Sequence, residues 1–290
     1  MKIKVLVSGA NGQLGLALQL ISSNYPSLQI DFINRNQLDL ERLEATNIPS
    51  ILNTSLYDYY IHAAAYTAVD LAEKEIKQCF QINEIAVKQL VTHFSSKKTK
   101  FIYISSDYVY HSLQNTPFTE TDLPQPKGVY AKSKLAGEEA VKKYTDHYLI
   151  FRTSWVYGEH GKNFIRTMDR MGREKEQIQV VFDQIGSPTW VYDLANMLLT
   201  IITEGKAKEI NGTFNYSNEG ITSWYDIAKA IMIQRGYSTK IIPVRTTSFP
   251  LPAPRPPFSA MDKSHFKEIF RLEIPHWQES LQKCLQRLPD

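Results

Sequence analysis

Residues 3–20 run Ile3-Lys4-Val5-Leu6-Val7, then Ser8-Gly9-Ala10-Asn11-Gly12-Gln13-Leu14-Gly15, then Leu16-Ala17-Leu18-Gln19-Leu20. The first run reads as a buried strand and the last as a helix. Between them, glycines at 9, 12 and 15 form Gly-x-x-Gly-x-x-Gly. Without side chains the backbone turns tightly and can approach a pyrophosphate. The helix N-terminus then presents free N–H groups to the anion. The spacing differs from the Gly-x-Gly-x-x-Gly of many dinucleotide folds. The strand before and the helix after set it apart from an ordinary glycine-rich turn.

The alternation continues. Leu28 to Ile33, Tyr59-Tyr60-Ile61, Phe101-Ile102-Tyr103-Ile104 and Tyr148-Leu149-Ile150-Phe151-Arg152 read as strands. A helix is expected over roughly 75–95 on Ile76, Phe80, Ile82, Ala86, Val87 and Leu90, and another from Tyr130 past Ala140. Segment 111–128, with three prolines, reads as a loop. This pattern predicts an α/β fold: a doubly wound, Rossmann-like parallel sheet with a smaller C-terminal substrate domain. Residues 1–154 are assigned to the NAD(P)-binding part and 155–290 mainly to the substrate-binding part. A helix at about 190–203 is expected to return to the first. Thr222 or Ser223 is expected to cap a later helix. Prolines 243, 250, 252, 254, 256 and 257 mark a stretch unsuited to regular structure.

With 290 residues the chain can bury a sizeable core, and a net charge of +3 argues against nucleic acid as a partner. Cys79 and Cys284 are the only cysteines and lie in no metal-ligand spacing, so neither a zinc site nor a disulfide framework is expected. No signal-peptide pattern and no apolar run of membrane-spanning length is read, which leads to a cytoplasmic expectation without a membrane partner.

Four stretches carry the chemistry. The second strand ends in Asn34-Arg35, where many dinucleotide folds carry an acid that bonds the adenosine ribose. A guanidinium without that acid suits a 2′-phosphate, so NADPH is the expected cofactor, with NADH also able to serve. Asp39 and Leu40 are placed near the adenine. Ala63-Ala64-Ala65 leave room for a ligand above the sheet. Ser105-Ser106-Asp107 ends the strand closing on Ile104 and offers hydroxyls to a substrate oxygen. In Tyr130-Ala131-Lys132-Ser133-Lys134, a helix sets Tyr130 and Lys134 one turn apart. An ammonium beside a phenol is expected to pull the phenol pKa down from about 10. Such a phenol can protonate a carbonyl oxygen while a hydride reaches the carbon.

The glycine motif, Ser105-Ser106-Asp107 and Tyr130-x-x-x-Lys134 occur in an order and at spacings that resemble the extended short-chain dehydrogenase/reductase family. Ala63-Ala64-Ala65-Tyr66-Thr67-Ala68-Val69-Asp70, Arg152-Thr153-Ser154-Trp155-Val156-Tyr157, Asp183-Gln184-x-Gly186-x-Pro188-Thr189 and Pro252-Ala253-x-Arg255-Pro256 are similar to one branch of it. That branch reduces the C4 ketone of dTDP-4-dehydro-L-rhamnose with NAD(P)H, in dTDP-rhamnose and polysaccharide biosynthesis. The resemblance covers nearly the whole chain.

It implies that Tyr130 is the proton donor, that Lys134 holds the nicotinamide ribose, and that Ser106 bonds the same substrate oxygen. It implies a cofactor site of Gly9, Gly12, Gln13, Leu14, Gly15, Asn34, Arg35, Asp39, Leu40, Ala63, Ala64, Ala65, Tyr66, Thr67 and Ile104, with Tyr130 and Lys134. Ser106, Asp107, Trp155 and Arg255 are implied at the nucleotide-sugar substrate. The family usually has threonine at Ser106, and serine keeps the hydroxyl. Asn34 stands where an acid is common. The resemblance leaves open a homodimer, a different nucleotide 4-keto-6-deoxy sugar, an epimerase-reductase and a non-catalytic NADP-binding regulatory subunit.

Overall fold

A computed structural model describes residues 2–53 and 56–289. The first half builds strands β1 (Ile3–Ser8), β2 (Leu28–Ile33), β3 (Tyr59–His62), β4 (Lys100–Ser106) and β5 (Tyr148–Thr153). Between them lie helices α1 (Gln13–Ile21), α2 (Ile76–Phe80, Gln81–Ile85 and Ala86–Ser95 in succession) and α3 (Val129–Tyr144). The second half adds β6 (Val156–Tyr157), α4 (Phe164–Glu174), β7 (Gln177–Val181), β8 (Ile185–Gly186), β9 (Thr189–Trp190) and α5 (Val191–Thr203). It continues with β10 (Gly212–Asn215), β11 (Thr222–Ser223), α6 (Trp224–Arg235), β12 (Lys240–Val244) and α7 (Trp277–Arg287).

Six strands form one parallel sheet in the order β10-β5-β4-β3-β1-β2. The strand order reverses at β1 and β3, so their C-terminal ends open a crevice at the switch point. Period-two alternation divides the sheet into two buried faces. Val5, Val7, Ile61, Ile102 and Phe151 pack against Leu14 and Leu18 of α1 and Leu194, Leu198 and Ile202 of α5. Leu6, Tyr60, Phe101 and Ile150 pack against Val87, Leu90 and Phe94 of α2 and Val141 of α3. A third core joins Tyr157, Ile165, Val180, Trp190, Ile227, Ile231, Trp277 and Leu281. Among the described residues no helix is long and apolar enough to cross a membrane.

Three local features differ from the sequence reading. Strand β10 joins the sheet beside β5, yet its four residues carry one large apolar side chain, Phe214, too little pattern to read. Helix α2 widens into a π turn at Gln81–Ile85. There the Asn83 side chain bonds the backbone N–H and C=O of Tyr66, at 2.9 and 3.1 Å. Pro243 lies inside β12, which pairs only with β7, so its missing N–H breaks no second ladder. Ser223 caps α6 in a capping box with Asp226.

Candidate active site

The crevice is built first by the glycines. Gly9 has φ +78°, and a Cβ there would stand 2.8 Å from the Ala63–Ala64 backbone. That close approach draws the ends of β1 and β3 together. A Cβ on Gly15 would fall 2.2 Å from the Gly9 carbonyl oxygen, so α1 packs directly on the loop. Gly12 caps α1 in extended conformation without a side-chain partner for the helix N–H groups. Those donors are what a pyrophosphate requires, and the bare backbone around them leaves it room. The arrangement therefore fits a dinucleotide.

A cleft of about 820 Å³ extends from this loop. Gly9, Gly12, Gln13, Leu14, Asn34, Arg35, Asp39, Leu40, Ala63, Ala64, Ala65, Thr67 and Ile104 line it together with Tyr130 and Lys134. Two expected cofactor residues do not. Gly15 lies beneath the loop, and the Tyr66 phenol is turned away to donate to Glu75 Oε2 at 2.7 Å. Arg35 is not left without acids: it pairs with Glu41 at 2.6 Å and lies 3.7 Å from Asp39.

Tyr130 and Lys134 both come from the first turns of α3, which Glu73 anchors by accepting the Val129 N–H at 2.8 Å. Lys134 is buried; its Nζ donates to the Ile104 carbonyl at 2.8 Å and stands 4.1 Å above the Tyr103 ring. Burial pulls its pKa down to about 7, against the opposing charges of Glu138 and Cys79. The expected acidification of Tyr130 is not found. Burial pushes the phenol up to about 12; the Ser106 hydroxyl opposes the rise, and Asp107 and Cys79 add to it. The physical reason is direction: helical spacing brings Lys134 near, but its ammonium is committed to Ile104 and the Tyr103 face.

Ser106 donates to Asp107 Oδ1 at 3.1 Å and accepts the Tyr108 N–H at 3.2 Å. Asp107 is buried, and burial raises its carboxyl to about 7 against hydrogen bonds from Ser259 and Ser106. Ser105 also lines the cleft, but its hydroxyl proton goes to Glu138 Oε1 at 2.5 Å. Glu138 is in turn paired with buried Arg152 at 2.6 Å. Asn83 donates to Ser133 Oγ at 3.0 Å, and Ser133 donates to the Tyr130 carbonyl at 2.8 Å. The π turn of α2 thus ties the Tyr66 loop to the start of α3.

Ser106, Asp107 and Trp155 line the cleft. Arg255 stands outside the lining: it donates to Asp70 Oδ2 at 2.7 Å and to the Ala253 carbonyl at 2.9 Å. Its guanidinium is thus paired within the chain, next to Val69 of the cleft wall. Sequence reasoning missed Tyr108, Lys162, Leu194 and Trp224, all in the wall. Tyr108 follows a motif already singled out, and α5 was expected to return to the sheet. No pattern places Lys162 or Trp224 there. Among the described residues no cluster of three or more His, Cys, Asp or Glu is arranged to hold a metal ion.

A family model described as the RmlD substrate binding domain matches residues 2–289. The spore coat polysaccharide biosynthesis protein SpsK of Bacillus subtilis is 35% identical over 98% of this chain and 97% of its own. The dTDP-4-dehydrorhamnose reductase of Burkholderia thailandensis is 35% identical over 99% of each. The crystal structure of dTDP-4-dehydrorhamnose reductase from Bacillus anthracis in complex with NADP superposes with a TM-score of 0.92, at 36% identity and 99% coverage of both chains.

Proposed function

The chain belongs to the RmlD substrate binding domain family, and from that premise we infer that it reduces the C4 ketone of dTDP-4-dehydro-L-rhamnose to dTDP-L-rhamnose with NADPH. The observation that carries the reading is the meeting of Tyr130, Ser106 and Lys134 in one cleft with an uncapped helix N-terminus and a glycine cradle. NADH is expected to serve as well, since Arg35, Asp39 and Glu41 together offer partners to a phosphate and to ribose hydroxyls.

Bound in the cradle, NADPH supplies the hydride that C4 receives. As C4 becomes tetrahedral, the carbonyl pair moves onto its oxygen, and Tyr130 gives that oxygen its phenolic proton. A phenol held up at about 12 is fully protonated at neutral pH, the form a donor must take. Ser106 adds a second hydroxyl to the developing oxyanion, where it counts most. Lys134, its ammonium held by the Ile104 carbonyl and the Tyr103 ring, orients the nicotinamide ribose. Asp107 and Trp155 face the sugar. Residues 155–290, apart from α5 and β10, supply the substrate side.

The product is an activated sugar, and the name of the B. subtilis relative points to polysaccharide assembly as its use. Free, buried Cys79 and Cys284 suit a reducing cytoplasm. The test is NADPH oxidation that depends on added dTDP-4-dehydro-L-rhamnose. Tyr130→Phe is expected to lower turnover by about 10²–10⁴-fold while NADPH still binds. Undiminished turnover would overturn the assignment.

A further inference from the structure

We propose that Trp224 is a positioning residue that seats Trp155 as a flat wall for the sugar ring of the substrate; the proposal rests on the reductase reading and deepens it. Trp155 has φ +47°, a left-handed conformation that a bulky residue adopts only when its surroundings impose it. Three links from the neighbouring segment do so. Ser154 donates to the Ser187 carbonyl at 2.5 Å, Thr153 donates to Thr189 Oγ1 at 3.2 Å, and the Thr189 N–H donates to the Trp155 carbonyl at 3.3 Å. The chain leaving β5 is thereby turned so that the indole lines the cleft.

The indole then needs a seat. Along one edge Gly186 provides it, since a Cβ there would lie 2.7 Å from Cζ2 and 2.8 Å from Cε2 of Trp155. Over one face lies Trp224, with ring centroids 3.8 Å apart and planes 13° from parallel. Trp224 is itself held from behind. It is the first residue of α6, fixed by the Ser223–Asp226 capping box, and Phe164 of α4 leans on it at 4.6 Å. Both tryptophans pack on the third core and also line the cleft, so the stack presents a core-backed aromatic surface to it. A pyranose has an apolar C–H face, and a rigid indole plane is the surface that takes it with little lost entropy. Among the described residues no hydrogen bond or ring contact joins either indole to Tyr130, Ser106 or Lys134. The stack therefore acts on where the sugar lies, not on proton donation.

The test is steady-state kinetics of the full chain with NADPH and dTDP-4-dehydro-L-rhamnose. Trp224→Ala is expected to raise KM for the nucleotide sugar about tenfold, with kcat changed far less and KM for NADPH unmoved. Trp224→Phe keeps a ring in the stack and is expected to stay close to wild type. Gly186→Ala, which disturbs the seat from a different element, is expected to reproduce the KM defect. If Trp224→Ala does not fold, Trp224→Leu keeps apolar volume without the plane and carries the same comparison. Unmoved sugar KM in the Ala or Leu variant overturns the proposal, as does an equal rise in the Phe variant. A wild-type chain that turns over no 4-keto nucleotide sugar defeats the reductase reading itself and this proposal with it.

Discussion

Tyr130, Lys134 and Asp107 show how burial sets the working state of a polar side chain. Each is drawn toward its neutral form: the phenol up, the ammonium down, the carboxyl up. The neighbouring charges and hydrogen bonds only trim that effect. For Asp107 the consequence is a stability that depends on pH. An aspartate in the unfolded chain titrates near 3.9, whereas Asp107 in the folded chain titrates at about 7. Between those values the folded form holds more protons, so its stability falls as pH rises from about 4 to about 7 and stays low above. Asp107→Asn mimics the protonated acid. It is expected to be more stable than wild type at pH 8, by an amount of the order of 4 kcal/mol, and level with it at pH 4. Urea unfolding at the two pH values checks this; equal midpoints at pH 8 would remove the burial penalty.

Among the elements, α1 and α2 carry the cradle and its brace. The Gly-x-x-Gly-x-x-Gly stretch was legible because each missing side chain has a local geometric reason: a turn, an open helix end, a close approach. Gly15→Ala would push a methyl to 2.2 Å from the Gly9 carbonyl oxygen, so α1 must slide off the loop. The expected cost is about 1–3 kcal/mol, with weaker NADPH binding, read by thermal unfolding and a cofactor titration. Wild-type affinity in that variant would show that the loop and helix do not move as a unit. The π turn in α2 was not legible. Apolar spacing over 75–95 looks helical wherever one turn takes an extra residue. Bonds from Asn83 to Tyr66 and Ser133 choose the place, and they come from other parts of the chain.

On the scale of the whole molecule, polar links join the later segments to the nucleotide-binding half beside the apolar packing of α5 on α1 and the sheet. Asn163 donates to Gln13 Oε1 at 2.9 Å above the glycine loop. Tyr25 donates to Asn196 Oδ1 at 2.6 Å. Asp70, next to Val69 of the cleft wall, takes both Arg255 and the Ala253 N–H and pins the proline-rich stretch there. Asp70→Asn is expected to lower global stability by less than about 1 kcal/mol, because the pair is partly exposed. The amides of residues 249–258 should nevertheless exchange faster with deuterium, read by mass spectrometry. Unchanged exchange there would mean that the prolines alone hold the segment.

Local order was written in the sequence. Alternating strands and helices, the glycine turn, the helix carrying Tyr130 and Lys134 and the capping Ser223 all follow from periodicity and backbone chemistry within a few residues. Tertiary structure alone decided the rest. It added β10 to the sheet, turned Lys134 toward Ile104, paired Arg255 with Asp70 and stacked Trp224 on Trp155. Each of those outcomes is a contact between segments far apart in the chain, or the removal of water from around a group. Spacing along a sequence records neither which distant surface a side chain will meet nor how much solvent it will lose there.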